Sequence, residues 1–195
     1  MMKAIEEAVV YATRAHAGVN RKGKTRPYIL HPLEVMVIAS SLTEDESVLA
    51  AAVLHDVVED TERTPEDIEK AFGKRVAELV MAESEDKLEE IPAGSTWKIR
   101  KEVTINHLCS LKKDAKIICL GDKLSNMREI SRDYALLGDQ LWARFNQKDK
   151  NMHRWYYSSI YTILKEEFGD IPALREYRSL LEEVFDWKGS DNEAD

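Results

Sequence analysis

Residues 48–54 read Val-Leu-Ala-Ala-Ala-Val-Leu, an apolar run that leads straight into His55-Asp56-Val57-Val58-Glu59-Asp60. The run is strongly helix-forming and predicts a buried core helix over residues 44–59. Four ionisable side chains therefore crowd the end of a core element. On a continuous helix, residues four apart share a face, so His55 stacks with Glu59 and Asp56 with Asp60. Burying such groups is costly unless a metal ion or polar partners satisfy them. An adjacent His and Asp can both reach one cation, and the two acids one turn on can then handle a water molecule.

The rest of the chain reads as helix around that run. Ile5, Ala8, Val9, Ala12 and His16 recur at helical spacing over residues 3–16, and Gly18 suits the stop. Residues 18–30 form a loop rich in Gly, Lys and Arg. His31-Pro32 opens a helix to about Leu42, with proline in the first turn. Thr64-Pro65-Glu66-Asp67 is a start signal for a short helix ending near Gly73, and another runs to about Ser84. After a charged connection at 85–94, Ser95 or Thr96 caps a helix to about Leu111, and Asp114 caps the next. Gly138-Asp139 breaks that helix, and the last two cover 149–167 and 172–186. Alternating strand patterns and internal repeats are absent from the sequence. The expected fold is all-α, a compact single-domain helical bundle over residues 1–187 with an acidic, flexible tail at 188–195.

At 195 residues, with 44% hydrophobic and 33% charged side chains, the chain suits one soluble domain with a full core. No apolar run approaches the roughly 20 residues of a membrane span. The N-terminus carries acids where a signal peptide would be apolar, so a cytoplasmic protein with no membrane partner is expected. Cys109 and Cys119 lack metal-type spacing and read as reduced core thiols. The net charge of −8 argues against nucleic acid as a partner. Yet no acid lies between Glu7 and Glu34, where Arg14, Arg21, Lys22, Lys24 and Arg26 cluster. That basic island suggests an anion site, the other reading being a solvated loop.

One dipeptide does not complete a cation site. His31 starts a helix at the lip of the basic loop. Asp122 lies within Ile117-Ile-Cys-Leu-Gly-Asp122-Lys-Leu-Ser-Asn126, an acid set among core positions that needs a partner. The competing reading of Asp122 is a salt bridge to Lys123 or Arg128.

His31, His55-Asp56 and Asp122 together resemble the H…HD…D signature of the HD superfamily of metal-dependent phosphohydrolases, whose fold is all-α. Three longer blocks are more specific: Pro27-Tyr28-Ile29-Leu30-His31-Pro32, preceded by Arg21-Lys22; Leu54-His55-Asp56-Val57-Val58-Glu59-Asp60-Thr61; and Gly121-Asp122-Lys123-Leu124-Ser125-Asn126-Met127-Arg128. These resemble the hydrolase domain of RelA/SpoT-type alarmone enzymes and the stand-alone small alarmone hydrolases, over roughly residues 3–165. The chain departs from that pattern in the Gly23-Lys24-Thr25-Arg26 loop and around Glu83-Ser84, while Glu85-Asp86-Lys87 fits it.

The resemblance implies removal of the 3′-pyrophosphate of ppGpp or pppGpp, a small-molecule nucleotide, with one Mn²⁺. It implies His31, His55, Asp56 and Asp122 as metal ligands. Two imidazoles and two carboxylates suit Mn²⁺, Fe²⁺ or another divalent ion with open positions better than a closed zinc site. By the same resemblance Glu59 and Asp60 orient and deprotonate the attacking water, without a choice between them, Glu59 alternatively supporting His55. Arg21 would stack on the base, Lys22 would contact phosphate, and Asn126 would lie near the ribose. Lys98 and Lys150 are further candidates for phosphate contacts. The larger relatives carry a synthetase domain after this one. Residues 1–195 contain no such segment, so hydrolysis alone is expected. Two other readings remain: a phosphohydrolase acting on ppApp, NADPH or nucleoside phosphates, and a non-catalytic nucleotide sensor. His16 is expected to pack rather than ligate, His107 and His153 to lie at the surface or core edge, and the Trp and Tyr side chains to fill core and rim.

Overall fold

The apolar run at 48–54 does become a central helix. The computed structural model describes residues 4–83 and 93–189, and the described elements are α1 (Ala4–Ala15), α2 (Leu30–Ser40), α3 (Glu46–Leu54), α4 (Val57–Asp60), α5 (Pro65–Phe72), α6 (Lys74–Glu83), α7 (Ala93–Ser110), α8 (Lys113–Leu137), a 3-10 helix (Gly138–Arg144), α9 (Lys150–Phe168) and α10 (Pro172–Phe185). The fold is all-α. The described residues contain no strand, only an isolated bridge between Asn20 and Pro27 in the basic loop. None of the described helices is long and apolar enough to cross a membrane.

The helices fall into two units. The first takes α1–α6 and the start of α8, as far as Ser125. Every residue of α3 from Val48 to Leu54 is buried, and α1, α2 and α6 pack around it. A helix with no polar face requires that enclosure. Its start is fixed by Asp45, whose side chain accepts from the Ser47 N–H. The second unit takes α7, the remainder of α8, the 3-10 helix, α9 and α10. Its core is aromatic as well as aliphatic, with Trp97, Trp142, Tyr156, Tyr177 and Phe185 buried beside Ile160, Leu164 and Leu174.

Local signals set several boundaries. Thr64 and Asp67 form a reciprocal capping box with Pro65 in the first turn, and Gly73 ends α5 at φ +86°, where a side chain would be strained. Asp149 caps α9 by accepting from Asn151 N–H. Other expectations need correction. The helix foreseen over 44–59 is broken: α3 stops at Leu54, Asp56 lies at φ −92°, ψ −3°, and α4 resumes at Val57. The His55 ring explains the break, because its Nδ1 lies 2.9 Å from the Ala52 carbonyl, the group a continuing helix offers to the Asp56 N–H. Thr96 lies inside α7 and is no cap. Asp114 sits within the first turn of α8 and accepts from Arg75 Nη2 at 2.9 Å. Cys119 is buried as expected, whereas Cys109 is exposed, and neither forms a disulfide. The expected connection, apart from Ala93 and Gly94, and most of the tail lie outside the described residues.

Candidate metal centre

The break after α3 turns His55 and Asp56 into a corner. His31 enters from the first turn of α2 and Asp122 from the middle of α8. Gly121 lets those two helices approach: a Cβ there would stand 2.9 Å from the Val35 carbonyl oxygen and 3.0 Å from Val35 Cγ1. Any larger residue would push α8 away from α2 and carry Asp122 with it.

His31, His55 and Asp122 are all buried, and each offers one ligand atom, the three lying within 4.8 Å of one another. His31 Nε2 is 3.1 Å from Asp122 Oδ1, and His55 Nε2 is 4.0 Å from the same oxygen. Asp56 joins them, its Oδ2 being 3.0 Å from His55 Nε2 and 3.7 Å from His31 Nε2. The other Asp122 oxygen, Oδ2, pairs with Lys123 Nζ, so half of the salt-bridge reading also holds. Arg128 instead grips Glu176 with two hydrogen bonds of 2.6 and 2.7 Å.

These residues fit a divalent cation. Nitrogen and carboxylate oxygen donors converge on one point, as a borderline-soft or hard divalent ion requires. The buried His55 Nε2 approaches Asp56 closely but without hydrogen-bond alignment, and among the described residues it has no hydrogen-bond partner. Its ring is fixed from behind by the Ala52 carbonyl, which leaves Nε2 facing the carboxylates. Burial pulls the His55 imidazole down, but the charges of Asp56 and Asp122 outweigh burial and raise it to about 9. The field that holds a proton there also attracts a metal, and the two compete for Nε2. Burial pushes the carboxyl of Asp56 up, yet His55 and His31 hold it below the usual carboxylate range. Burial acts the same way on Asp122, and Lys123 with the two imidazoles outweighs it.

The water-handling candidates lie beside this cluster. Glu59 is half-buried on α4 and Asp60 is exposed at its end. Tyr28, a member of the Pro27-Tyr28-Ile29-Leu30-His31-Pro32 block, ties them in. Its hydroxyl donates to Asp56 Oδ2 at 2.5 Å and lies 3.1 Å from Asp60 Oδ2. Burial, then the charges of Asp56 and Asp60, raise the Tyr28 hydroxyl far above its ordinary pKa, so it remains a donor. The Arg21 guanidinium sits 5.4 Å over the Tyr28 ring, which carries the basic loop to the edge of the cluster, while Lys22 is exposed. His16 is buried against Tyr28, with ring centroids 4.8 Å apart, and packs as expected.

The remaining candidates belong to the second unit. Asn126 is half-buried on α8, one turn after Asp122. Lys98 is exposed on α7 and pairs with Glu102 at 3.7 Å. Lys150 donates to the Tyr134 hydroxyl at 2.7 Å and lies over its ring.

The HD domain family matches residues 8–150. The chain belongs to the HD domain family. This HD domain is 36% identical over 131 residues to the bifunctional (p)ppGpp synthase/hydrolase SpoT of Escherichia coli K12, a match of 66% of this chain and 18% of that protein. It is 34% identical over 128 residues to a GTP pyrophosphokinase of Brucella ovis, covering 65% of this chain and 17% of the relative. The chain thus spans less than a fifth of the length of these curated relatives. Among solved structures, a metazoan orthologue of SpoT described as hydrolysing ppGpp superposes with a TM-score of 0.73 at 28% identity, over 93% of this chain and 95% of that one. A protein of Listeria monocytogenes EGD-e superposes at 0.67 and 31% identity, over 86% and 100%. The fold brings together His31, His55, Asp56 and Asp122, all four singled out in the sequence, whereas Gly121 as the point of helix approach was missed there. A lone glycine between core residues of a helix was the available signal.

Proposed function

We propose that the chain hydrolyses the 3′-pyrophosphate of ppGpp and pppGpp, yielding GDP or GTP and pyrophosphate, with Mn²⁺ held by His31, His55, Asp56 and Asp122. The observation that carries this reading is the convergence of His31, His55 and Asp122 from three separate helical segments onto one buried point, with Asp56 against both imidazoles. The likeness to hydrolases of this nucleotide supports the choice of substrate. When bound, the cation acidifies water and neutralises phosphate charge.

The chain's own residues then have distinct tasks. Glu59 and Asp60 accept the proton of the attacking water, whose oxygen bonds to phosphorus as the bond to the ribose 3′-oxygen breaks. The 3′-oxygen leaves with the proton that Glu59 and Asp60 took from the water. Tyr28 holds Asp56 and Asp60 in one orientation. Arg21 offers a planar cation for base or phosphate, and Lys22 a mobile point charge. Asn126, Lys98 and Lys150 are proposed to add contacts to the nucleotide.

The test is a Mn²⁺-supplemented panel of ppGpp, pppGpp, ppApp, NADPH and deoxynucleoside triphosphates, with the released phosphate species identified. Pyrophosphate released from ppGpp and pppGpp is expected. Untouched ppGpp beside cleaved NADPH or ppApp would move the enzyme to another nucleotide. Tight binding of ppGpp without turnover would make it a sensor.

A further inference from the structure

We infer that Ser125 and Glu34 form a relay that sets which nitrogen of His31 faces the metal centre, an inference that rests on reading His31 as a ligand. Ser125 Oγ donates to Glu34 Oε2 at 2.8 Å. A hydroxyl has one proton, and a carboxylate only accepts, so that proton lies between Ser125 and Glu34. The same Ser125 oxygen is 2.9 Å from His31 Nδ1. Toward the imidazole it can therefore only accept, and Nδ1 must carry the hydrogen. In the neutral ring Nε2 is then left with its electron pair, and Nε2 is the His31 atom that stands 3.1 Å from Asp122 Oδ1.

The placement follows from helical spacing. Glu34 lies three residues after His31 on α2, and Ser125 three residues after Asp122 on α8, so each partner shares a face with its ligand. The two ligands meet in one layer and the two partners in the layer behind. Ser125 is 2% exposed, so bulk water does not substitute for its hydroxyl. Without the relay, the Nε2–H form can donate to Asp122 Oδ1, which blocks the nitrogen and occupies the carboxylate together. Ser125 and Glu34 are thus positioning residues: they touch neither substrate nor cation and act through His31.

The experiment titrates Mn²⁺ into the metal-stripped full chain and follows the electron paramagnetic signal of unbound Mn²⁺. Ser125→Ala should weaken Mn²⁺ binding by about 10- to 100-fold, the range for a lost partner behind a ligand. Glu34→Gln keeps an oxygen acceptor for Ser125 but loses the charge, and should weaken binding by a smaller factor. The double variant should bind no more weakly than Ser125→Ala alone, because both act on one hydrogen. In the Zn²⁺-loaded protein, ¹⁵N spectra should show His31 protonated at Nδ1. Mn²⁺ affinity of Ser125→Ala within about twofold of wild type, well below the expected loss, overturns the relay while leaving the metal site standing. If His31→Ala itself binds Mn²⁺ normally, the ligand assignment falls and the relay with it. Should Ser125→Ala fail to fold, Glu34→Gln at the half-buried end of the relay decides the question by the same titration.

Discussion

His55 and His153 are equally buried, 4% exposed each, and burial lowers both imidazoles, yet their net shifts run in opposite directions. His55 sits against Asp56 and Asp122, and their charges raise it to about 9. His153 sits among rings, stacked on Trp142 at 5.0 Å, tilted against Phe145 at 5.0 Å and edge-on to Trp97 at 5.4 Å, with Nε2 2.8 Å from the Gln147 carbonyl. Burial lowers it, and the carbonyl and Asp149 do not compensate. One is an imidazole in a field of carboxylates, and the other is an aromatic core residue with one polar tip. A buried histidine is thus no sign of a site until its charged neighbours are known.

The largest effect that tests this contrast comes from truncating each ring. His55→Ala should lower ppGpp hydrolysis on the order of a thousandfold, about 4 kcal/mol of barrier, and should weaken Mn²⁺ binding in parallel. His153→Phe, which keeps a ring in the aromatic cluster, should leave Mn²⁺ affinity unchanged. Loss of Mn²⁺ binding in His153→Phe would break the distinction.

The second test adds only a methyl group. Gly121→Ala forces a Cβ against the Val35 carbonyl and should cost about 1–3 kcal/mol in urea unfolding, with Mn²⁺ affinity reduced as Asp122 moves. An equivalent methyl change away from the α2–α8 contact should not touch metal binding. Tyr28→Phe comes next: losing a hydroxyl bonded to charged Asp56 should reduce turnover roughly tenfold, with a smaller change in KM.

The smallest effect is the slope of stability with pH in metal-free protein. His55 is raised on folding, so its contribution is complete below its unfolded pKa near 6.5 and is lost as pH rises through about 9. His153 is lowered, so its contribution is present above about 6.5 and is lost as pH falls through its folded value. Unfolding in the presence of chelator at several pH values should show a decline between pH 6.5 and 9 that His55→Ala abolishes and His153→Phe retains. Saturating Mn²⁺ should remove that decline, because the metal replaces the proton.

Much of the fold was legible because helix signals are local. The box at Thr64 and Asp67, the glycine stop at Gly73 and the cap at Asp149 each depend on a few neighbouring residues. The break at His55-Asp56 was not legible, because the ring that takes the Ala52 carbonyl sits in a run whose composition favours unbroken helix. Thr96 and Asp114 are good cap residues that the chain uses elsewhere, one inside α7 and one as a partner for Arg75. Propensity ranks caps but does not force their use.

By itself the sequence showed ionisable side chains crowded at the end of an apolar run, His55, Asp56, Glu59 and Asp60, and Asp122 among core positions; the roles assigned to them and to His31 came from a resemblance to a known family. It also determined the all-α class through periodicity. Only the tertiary structure decided how the candidate ligands face one another, because residues 31, 56 and 122 meet through the close approach at Gly121 and not through spacing along the chain. It alone decided that Tyr28 bridges two acids and that Ser125 and Glu34 stand behind His31. Those contacts join residues tens of positions apart, and no local propensity encodes a distance across helices.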